Sequence, residues 1–342
     1  MTRREFLVGL AVAGKVPGTV KDVTQAPSTS LTVPGTINSV TGLISAEALG
    51  VTLAHEHVLV DFIGADRVSP ARYDRDHAFA KALPHLERIY ELGCRTLVEC
   101  TPAYIGRDPV LLGRLARASK LQILTNTGYY GAANDKFLPP HAFTETPDQL
   151  AARWIREARE GIDGTGVRPA FMKIGVDAGP LSDVDGRLVR AAARTHRATG
   201  LPIYSHTGNG VAALAQVAVL EEERAPLGSF VWVHAQNESD PAVHAQVARR
   251  GAWVSFDGVS AQSLDRHLGY VLALREARLL DRVLVSHDAG WYHVGEPDGG
   301  TYRPHDLIFT TFLPALRDRG LTAAEITQLM VENPRKALTP TP

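Results

Sequence analysis

TLAHEHVLVD, residues 52–61, is an apolar run broken by two histidines, His55 and His57, spaced two apart. Side chains repeat every two residues along a strand, so both histidines point to the same face. Seven further runs bounded by turn residues carry the same apolar, β-branched character: 95–101 (RTLVECT), 121–127 (LQILTNT), 169–176 (PAFMKIGV), 201–207 (LPIYSHT), 229–235 (SFVWVHA), 252–257 (AWVSFD) and 282–288 (RVLVSHD). With 51–60 they make eight strands. Apolar residues at helical spacing separate them, over 76–93, 107–119, 146–161, 183–199, 210–225, 240–250, 261–280 and 305–319, and a short helix over 322–332 closes the chain. Gly93, Gly161, Gly200, Gly251 and Gly320 stand where helices stop in a left-handed residue.

Eight alternating strands and helices predict a parallel (β/α)8 TIM barrel of α/β class. A doubly wound open sheet would show a glycine-rich turn after its first strand, and none is present. Residues 37–49 predict a short hairpin extension ahead of the first barrel strand. Residues 31–342 read as one domain. The longest loop, 289–304 (AGWYHVGEPDGGTYRP), is rich in glycine and aromatics and reads as a mobile lid. Its Trp291, Tyr292 and His293 are candidates for the pocket lining.

The chain has 342 residues, 44% hydrophobic and 21% charged, with net charge −1. That suits a large core, and no basic stripe suggests nucleic acid. No apolar stretch reaches the ~18–20 residues of a membrane span. Cys94 and Cys100 flank an extended segment far longer than the ~4.4–6.8 Å Cα separation of a disulfide, so both read as free thiols. The N-terminal MTRREFLVGLAVAG, with Arg3 and Arg4, resembles a twin-arginine export signal. Residues 1–30 therefore read as signal and linker, and the expected location is periplasmic or secreted; without export it is cytoplasmic.

His55, His57, Lys173, His206, His234 and Asp288 all close strands, where barrels place their chemistry. His-x-His on a strand is a two-nitrogen grip for zinc or a similar ion. His206 and His234 add two more nitrogens, and Asp288 a carboxylate that could otherwise cap the next turn of the chain. His287 points the other way and reads as structural. A lysine among histidines and cations is repelled and desolvated. Lys173 therefore has two readings: an ion pair with an acid such as Glu99, or an amine converted by CO2 to an anionic carbamate that can bridge two metals.

The chain resembles the phosphotriesterase-like branch of the amidohydrolase superfamily, from about residue 36 to the C-terminus. The resemblance is carried by TLAHEH, the IGRD turn at Ile105–Asp108, Lys173, SHTG at 205–208, His234, SHD at 286–288 and ENPRKAL at 332–338. It implies two divalent ions, zinc first, with cobalt, manganese or iron(II) as alternatives. His55, His57 and Asp288 would hold the buried ion, His206 and His234 the exposed one, and Lys173, as N6-carboxylysine, would bridge them with a hydroxide. Hydrolysis of an ester-type bond would result, with Asp288 accepting a proton.

Phosphotriesterase members of that family place an Asp after the sixth-strand His and a His after the seventh-strand Asp. Asn237 and Gly258 stand at those places here. Lactonase-like members carry an Arg after Asp257, also missing, and a Tyr in the third-strand loop, which Tyr130 supplies as a third candidate catalytic residue. Asp257 can still hydrogen-bond near the metals. Arg107 and Asp108 read as structural, Asp108 as a helix cap. The expected substrate is a small carboxylic ester or lactone, with a phosphotriester as the alternative. The expected assembly is a homodimer, and neither nucleic acid nor membrane is an expected partner. A single-metal deaminase would lack the bridging lysine, and a barrel that kept binding but lost catalysis would show gaps in the ligand set.

Overall fold

The computed structural model describes residues 35–339; the signal and linker read at 1–30 lie outside them. The strands, in chain order, are β1 (Thr36–Ser39), β2 (Gly42–Ser45), β3 (Thr52–Glu56), β4 (Leu59–Val60), β5 (Thr96–Glu99), β6 (Gln122–Leu124), β7 (Asn126–Thr127), β8 (Phe171–Val176), β9 (Ile203–Thr207), β10 (Phe230–Val233), β11 (Trp253–Phe256), β12 (Val283–Val285) and β13 (Tyr292–His293). β3, β5 and β6 pair in parallel, and so do β7 through β12 in sequence order. β6 and β7 are one barrel strand interrupted at Thr125. The Asp288 N–H donates to the His55 carbonyl at 3.1 Å and the His55 N–H to Ser286 Oγ at 2.9 Å, joining the last strand to the first. The molecule is thus a parallel α/β barrel with the expected N-terminal hairpin, β1–β2, in which Thr36 faces Ser45.

The helices are α1 (Arg75–Glu91), α2 (Pro109–Ser119), α3 (Pro147–Glu160), α4 (Asp183–Thr199), α5 (Gly210–Glu222), α6 (Pro241–Arg249), α7 (Leu264–Glu276), α8 (Leu313–Asp318), α9 (Ala323–Thr327) and α10 (Asn333–Leu338). Asp108 caps α2 by accepting from the Val110 and Leu111 N–H groups, as its position in the sequence suggests. The five stop glycines all take positive φ, from 74° at Gly200 to 102° at Gly93.

Inward residues of alternate positions, among them Ala54, Val98, Leu124, Phe171, Tyr204, Val231 and Leu284, fill the barrel. Ile37, Leu49 and Leu338 join the same cluster, so the hairpin and α10 close the barrel's N-terminal end. Met172, Ile203, Trp232 and Val254 face outward into the larger cluster under the helices. Truncating one such fully buried aromatic, Trp232 for instance, costs about 3–5 kcal/mol.

Three details depart from the sequence reading. The run 51–60 is not one strand: it breaks after Glu56, and β4 pairs with β13 instead. Loop 289–304 is accordingly tied to the barrel mouth by a short strand. The helix expected from 305 opens with a π turn at Ile308–Phe312, and a second π turn at Gln328–Glu332 precedes α10. Each is followed two residues later by a proline, Pro314 or Pro334, which has no N–H to return to the preceding turn.

Candidate metal centre

His55 and His57 reach the interior through an irregularity. Leu53 packs outward, so strict alternation would also send His55 outward. The β3–β5 register shifts between Leu53 and Glu56 and turns His55 in. Lys173 and His206 keep ordinary alternation behind inward Phe171 and Tyr204. His234 follows inward Val233 and would point away, but its φ of 63° rotates it back, and Asp288 has φ of 53°. Histidine and aspartate are among the non-glycine residues that tolerate this region.

These six side chains and Tyr130 line one cavity of about 90 Å³, with Val60, Phe62, Cys100, Pro102, Ile105 and Trp291 completing the wall. His55 Nε2 is 3.3 Å from His57 Nε2 and 3.4 Å from Lys173 Nζ. Asp288 Oδ1 lies 3.0 Å from His57 Nε2 and 3.8 Å from His55 Nε2, yet its orientation makes no hydrogen bond. The His206 ring stands edge-on to His234 at 4.4 Å, and Tyr130 Oη is 3.0 Å from His206 Nδ1.

The other nitrogen of three imidazoles is spoken for. Asp257, fully buried, accepts from His55 Nδ1 at 2.9 Å and from His234 Nδ1 at 2.6 Å. His57 Nδ1 donates to Thr101 Oγ1 at 2.8 Å, and the Thr101 hydroxyl donates in turn to Glu99 Oε1 at 2.5 Å. This leaves Nε2 of His55 and His57 as lone-pair donors and turns Nε2 of His234 toward the cavity, the arrangement that orients metal-binding imidazoles. Burial, then Lys173, lowers His55 to about 4, and burial lowers His57 and His206. Those three are neutral at neutral pH. Burial also pulls His234 down, but Asp257 outweighs it and raises the group. Burial would raise Asp257, but His234 and His55 hold it well below the usual carboxylate range.

Asp288 is held from the outside. Glu56, between the two histidines in sequence, points away from the cavity. Its carboxylate accepts from Ser286 Oγ (2.7 Å), His287 N (2.9 Å), His287 Nδ1 (2.8 Å), Ala289 N (2.9 Å) and His305 Nδ1 (2.9 Å). The backbone on both sides of Asp288 is thereby fixed. His287 faces outward, accepting from the Ile308 N–H.

A metal fits this donor set on three observations. Neutral imidazole nitrogens converge with a carboxylate oxygen; among the described residues that oxygen, Asp288 Oδ1, has no hydrogen-bond partner, and Lys173, 2% exposed, meets no carboxylate. Glu99 does not pair with Lys173, since it bonds Thr101 and the Val58 N–H instead. His55, His57 and Asp288 form one cluster of metal-binding geometry. A second, His55, His234 and Asp257, uses the nitrogens already bonded to Asp257, and we read it as support for the first rather than as another site.

Around the centre, Trp291 reaches the cavity but Tyr292 does not; its hydroxyl bonds His77 Nδ1 at 2.8 Å. Asn237 turns to the Thr207 carbonyl. Gln236, which no sequence signal singles out, lies against Gly258 and donates to Asp257 Oδ1 at 3.0 Å; a Cβ at Gly258 would stand 2.8 Å from its Nε2. Arg107 is buried and paired with Glu157 at 2.8 Å. Cys94 and Cys100 are free and buried.

The model of the phosphotriesterase family matches residues 35–338. The chain is similar to a phosphotriesterase homology protein of Escherichia coli (29% identity, over 85% of this chain and 98% of the relative). It is also similar to an aryldialkylphosphatase of Saccharolobus solfataricus (26% identity, 86% and 96%). Among solved structures, a mutant Deinococcus radiodurans PTE-like lactonase superposes with TM-score 0.79 at 30% identity, covering 88% of this chain and 99% of that one.

Proposed function

The chain belongs to the phosphotriesterase family and is a hydrolase acting on ester bonds, and from that premise we propose a binuclear metal-dependent enzyme that prefers carboxylic esters or lactones. The observation that carries this reading is Asp288 Oδ1, which has no hydrogen-bond partner among the described residues, beside the converging Nε2 atoms of His55 and His57, with a buried Lys173 that meets no carboxylate among the described residues. His55, His57 and Asp288 would hold one ion and His206 and His234 the other. Lys173, as N6-carboxylysine, would join them. Two divalent ions supply acidification of a water and polarisation of a substrate oxygen; zinc suits the histidine-rich donor set, and cobalt, manganese and iron(II) are the alternatives.

The chain's own groups do the rest. Asp288 is ionised, since His57, His55 and His234 overcome the upward push of burial, and it accepts the proton left after attack. Tyr130 is raised by burial, so it stays a phenol able to donate a hydrogen bond to a substrate carbonyl. Cys100 lines the cavity, but burial pushes its thiol well up, so it offers no thiolate nucleophile. Hydrolysis then proceeds without a covalent intermediate.

The lean to carbonyl substrates rests on the far side of Asp257. Gln236 fills the space before Gly258, and Asn237 faces a backbone carbonyl, so neither supplies an acid–histidine proton relay. The second reading, a phosphotriester hydrolase, is favoured by the similarity to an aryldialkylphosphatase. Comparing kcat/KM for a lactone, an aryl ester and an aryl phosphotriester on one metal-loaded preparation separates them. The proposal expects the carbonyl substrates to lead; a phosphotriester preferred tenfold, about 1.4 kcal/mol in transition-state binding, reverses it.

A further inference from the structure

The mouth of the cavity is an aromatic wall carrying positive charge that no carboxylate neutralises. Trp291 packs on His57 at 5.2 Å and on Phe62 at 5.5 Å, and Phe62 packs on Phe137 at 5.8 Å. The Arg303 guanidinium lies 4.8 Å over the Trp291 ring and donates to the Asp288 carbonyl. Lys136 Nζ lies 5.2 Å from the Phe137 ring at the other end of the wall. Both cations are exposed, and among the described residues neither has an acidic partner.

The acids on the surrounding segments are engaged elsewhere. Asp66 faces Arg67 at 3.8 Å, Glu296 faces His293 at 3.6 Å, and Asp298 faces Lys81 at 3.0 Å. Asp177 accepts from the Ala133 and Asn134 N–H groups. Asp135, beside Lys136 in sequence, is half-buried.

Arg303 is also held in place. Its backbone exchanges two hydrogen bonds with Gly290, at 2.9 and 2.8 Å, two residues beyond Asp288. A solvated surface arginine needs neither that clamp nor the stack on Trp291. Stacking leaves the edges of a guanidinium open; with Nη2 donating one hydrogen to the Asp288 carbonyl, the remaining N–H groups of the planar fork can still meet a carboxylate.

We propose that Arg303 reads a carboxylate on the substrate, held at the mouth while the scissile ester lies over Lys173 and Asp288. The natural substrate is then an anionic ester or lactone. This rests on the ester-hydrolase reading above.

The test uses the full chain loaded with zinc, as wild type, Arg303→Met and Arg303→Lys. The substrates are the 4-nitrophenyl ester of glutaric acid and that of glutaramic acid, which match in shape and differ in charge. The readout is the acid-to-amide ratio of kcat/KM within each protein, which cancels any change in the amount of active enzyme. The expected ratio is about tenfold or more in wild type, near one in Arg303→Met and intermediate in Arg303→Lys. A wild-type ratio at or below one, or a ratio that Arg303→Met leaves unchanged, overturns the proposal. If neither ester is turned over, the ester reading fails on its own. Arg303 is then judged by calorimetric binding of glutaric acid monoanilide: at least tenfold weaker binding to Arg303→Met supports the proposal, and equal or absent binding to both overturns it.

Discussion

Asp257 Oδ1 and His234 Nδ1, at the ends of neighbouring strands, lie 2.6 Å apart. Because the second oxygen of the same carboxylate takes His55 Nδ1 at 2.9 Å, one buried acid sets the tautomer of two imidazoles that the proposed function assigns to different metals. That makes Asp257 the point at which the two halves of the site are coupled.

Asp257→Asn should therefore weaken both ions at once. An amide can accept from one ring but offers an N–H to the other. Loss of such an outer partner typically costs about 10–100-fold in metal affinity. Chelator competition monitored with cobalt checks this, and affinities unchanged for both ions would refute the coupling.

Lys173→Ala should lose most activity and metal, and added short carboxylic acids should restore part of both. A small acid can imitate a bridging carbamate. Titrating acetate and propionate into the variant is the measurement; near wild-type activity without additive would remove Lys173 from the centre.

Gly290→Ala should be strongly destabilising. Gly290 has φ of +95°, and a Cβ there would stand 1.9 Å from the His57 carbonyl oxygen. Backbone must move against backbone, so a loss of about 2–4 kcal/mol is expected. Denaturant melts of metal-free protein test it, and a loss under ~0.5 kcal/mol would show that the loop relaxes freely.

Glu99 predicts a pH dependence. Burial raises its carboxyl to about 7 from the ordinary 4.5. A raised folded-state value means the acid form is favoured by folding. Its stability contribution is full below about pH 4.5 and is lost as pH climbs through 7. Glu99→Gln, which keeps a neutral side chain, should flatten the stability curve of metal-free protein over that window, a difference of about 3 kcal/mol at most. Parallel curves for wild type and variant would contradict the assignment.

Much of this is legible in the sequence because strand-end position is a one-dimensional property. Eight apolar runs with His55, Lys173, His206, His234 and Asp288 near their ends are enough to bring those residues together. What alternation cannot show is how His55, His234 and Asp288 turn inward: a register shift at Leu53–Glu56 and left-handed backbone at His234 and Asp288 do it. Two-residue strands such as β13 carry no periodic signal, so the segment that ties Tyr292–His293 to Leu59–Val60 reads in the sequence as a mobile lid. Gln236 escapes notice because its meaning lies in the empty space at Gly258, which exists only when the two strand ends are side by side.

The central claim is that these side chains hold two metals. Protein stripped with chelator, dialysed against excess zinc and freed of unbound ion should contain two zinc ions per chain by elemental analysis, falling below one in Lys173→Ala. One ion or none in the saturated wild-type chain would contradict the account.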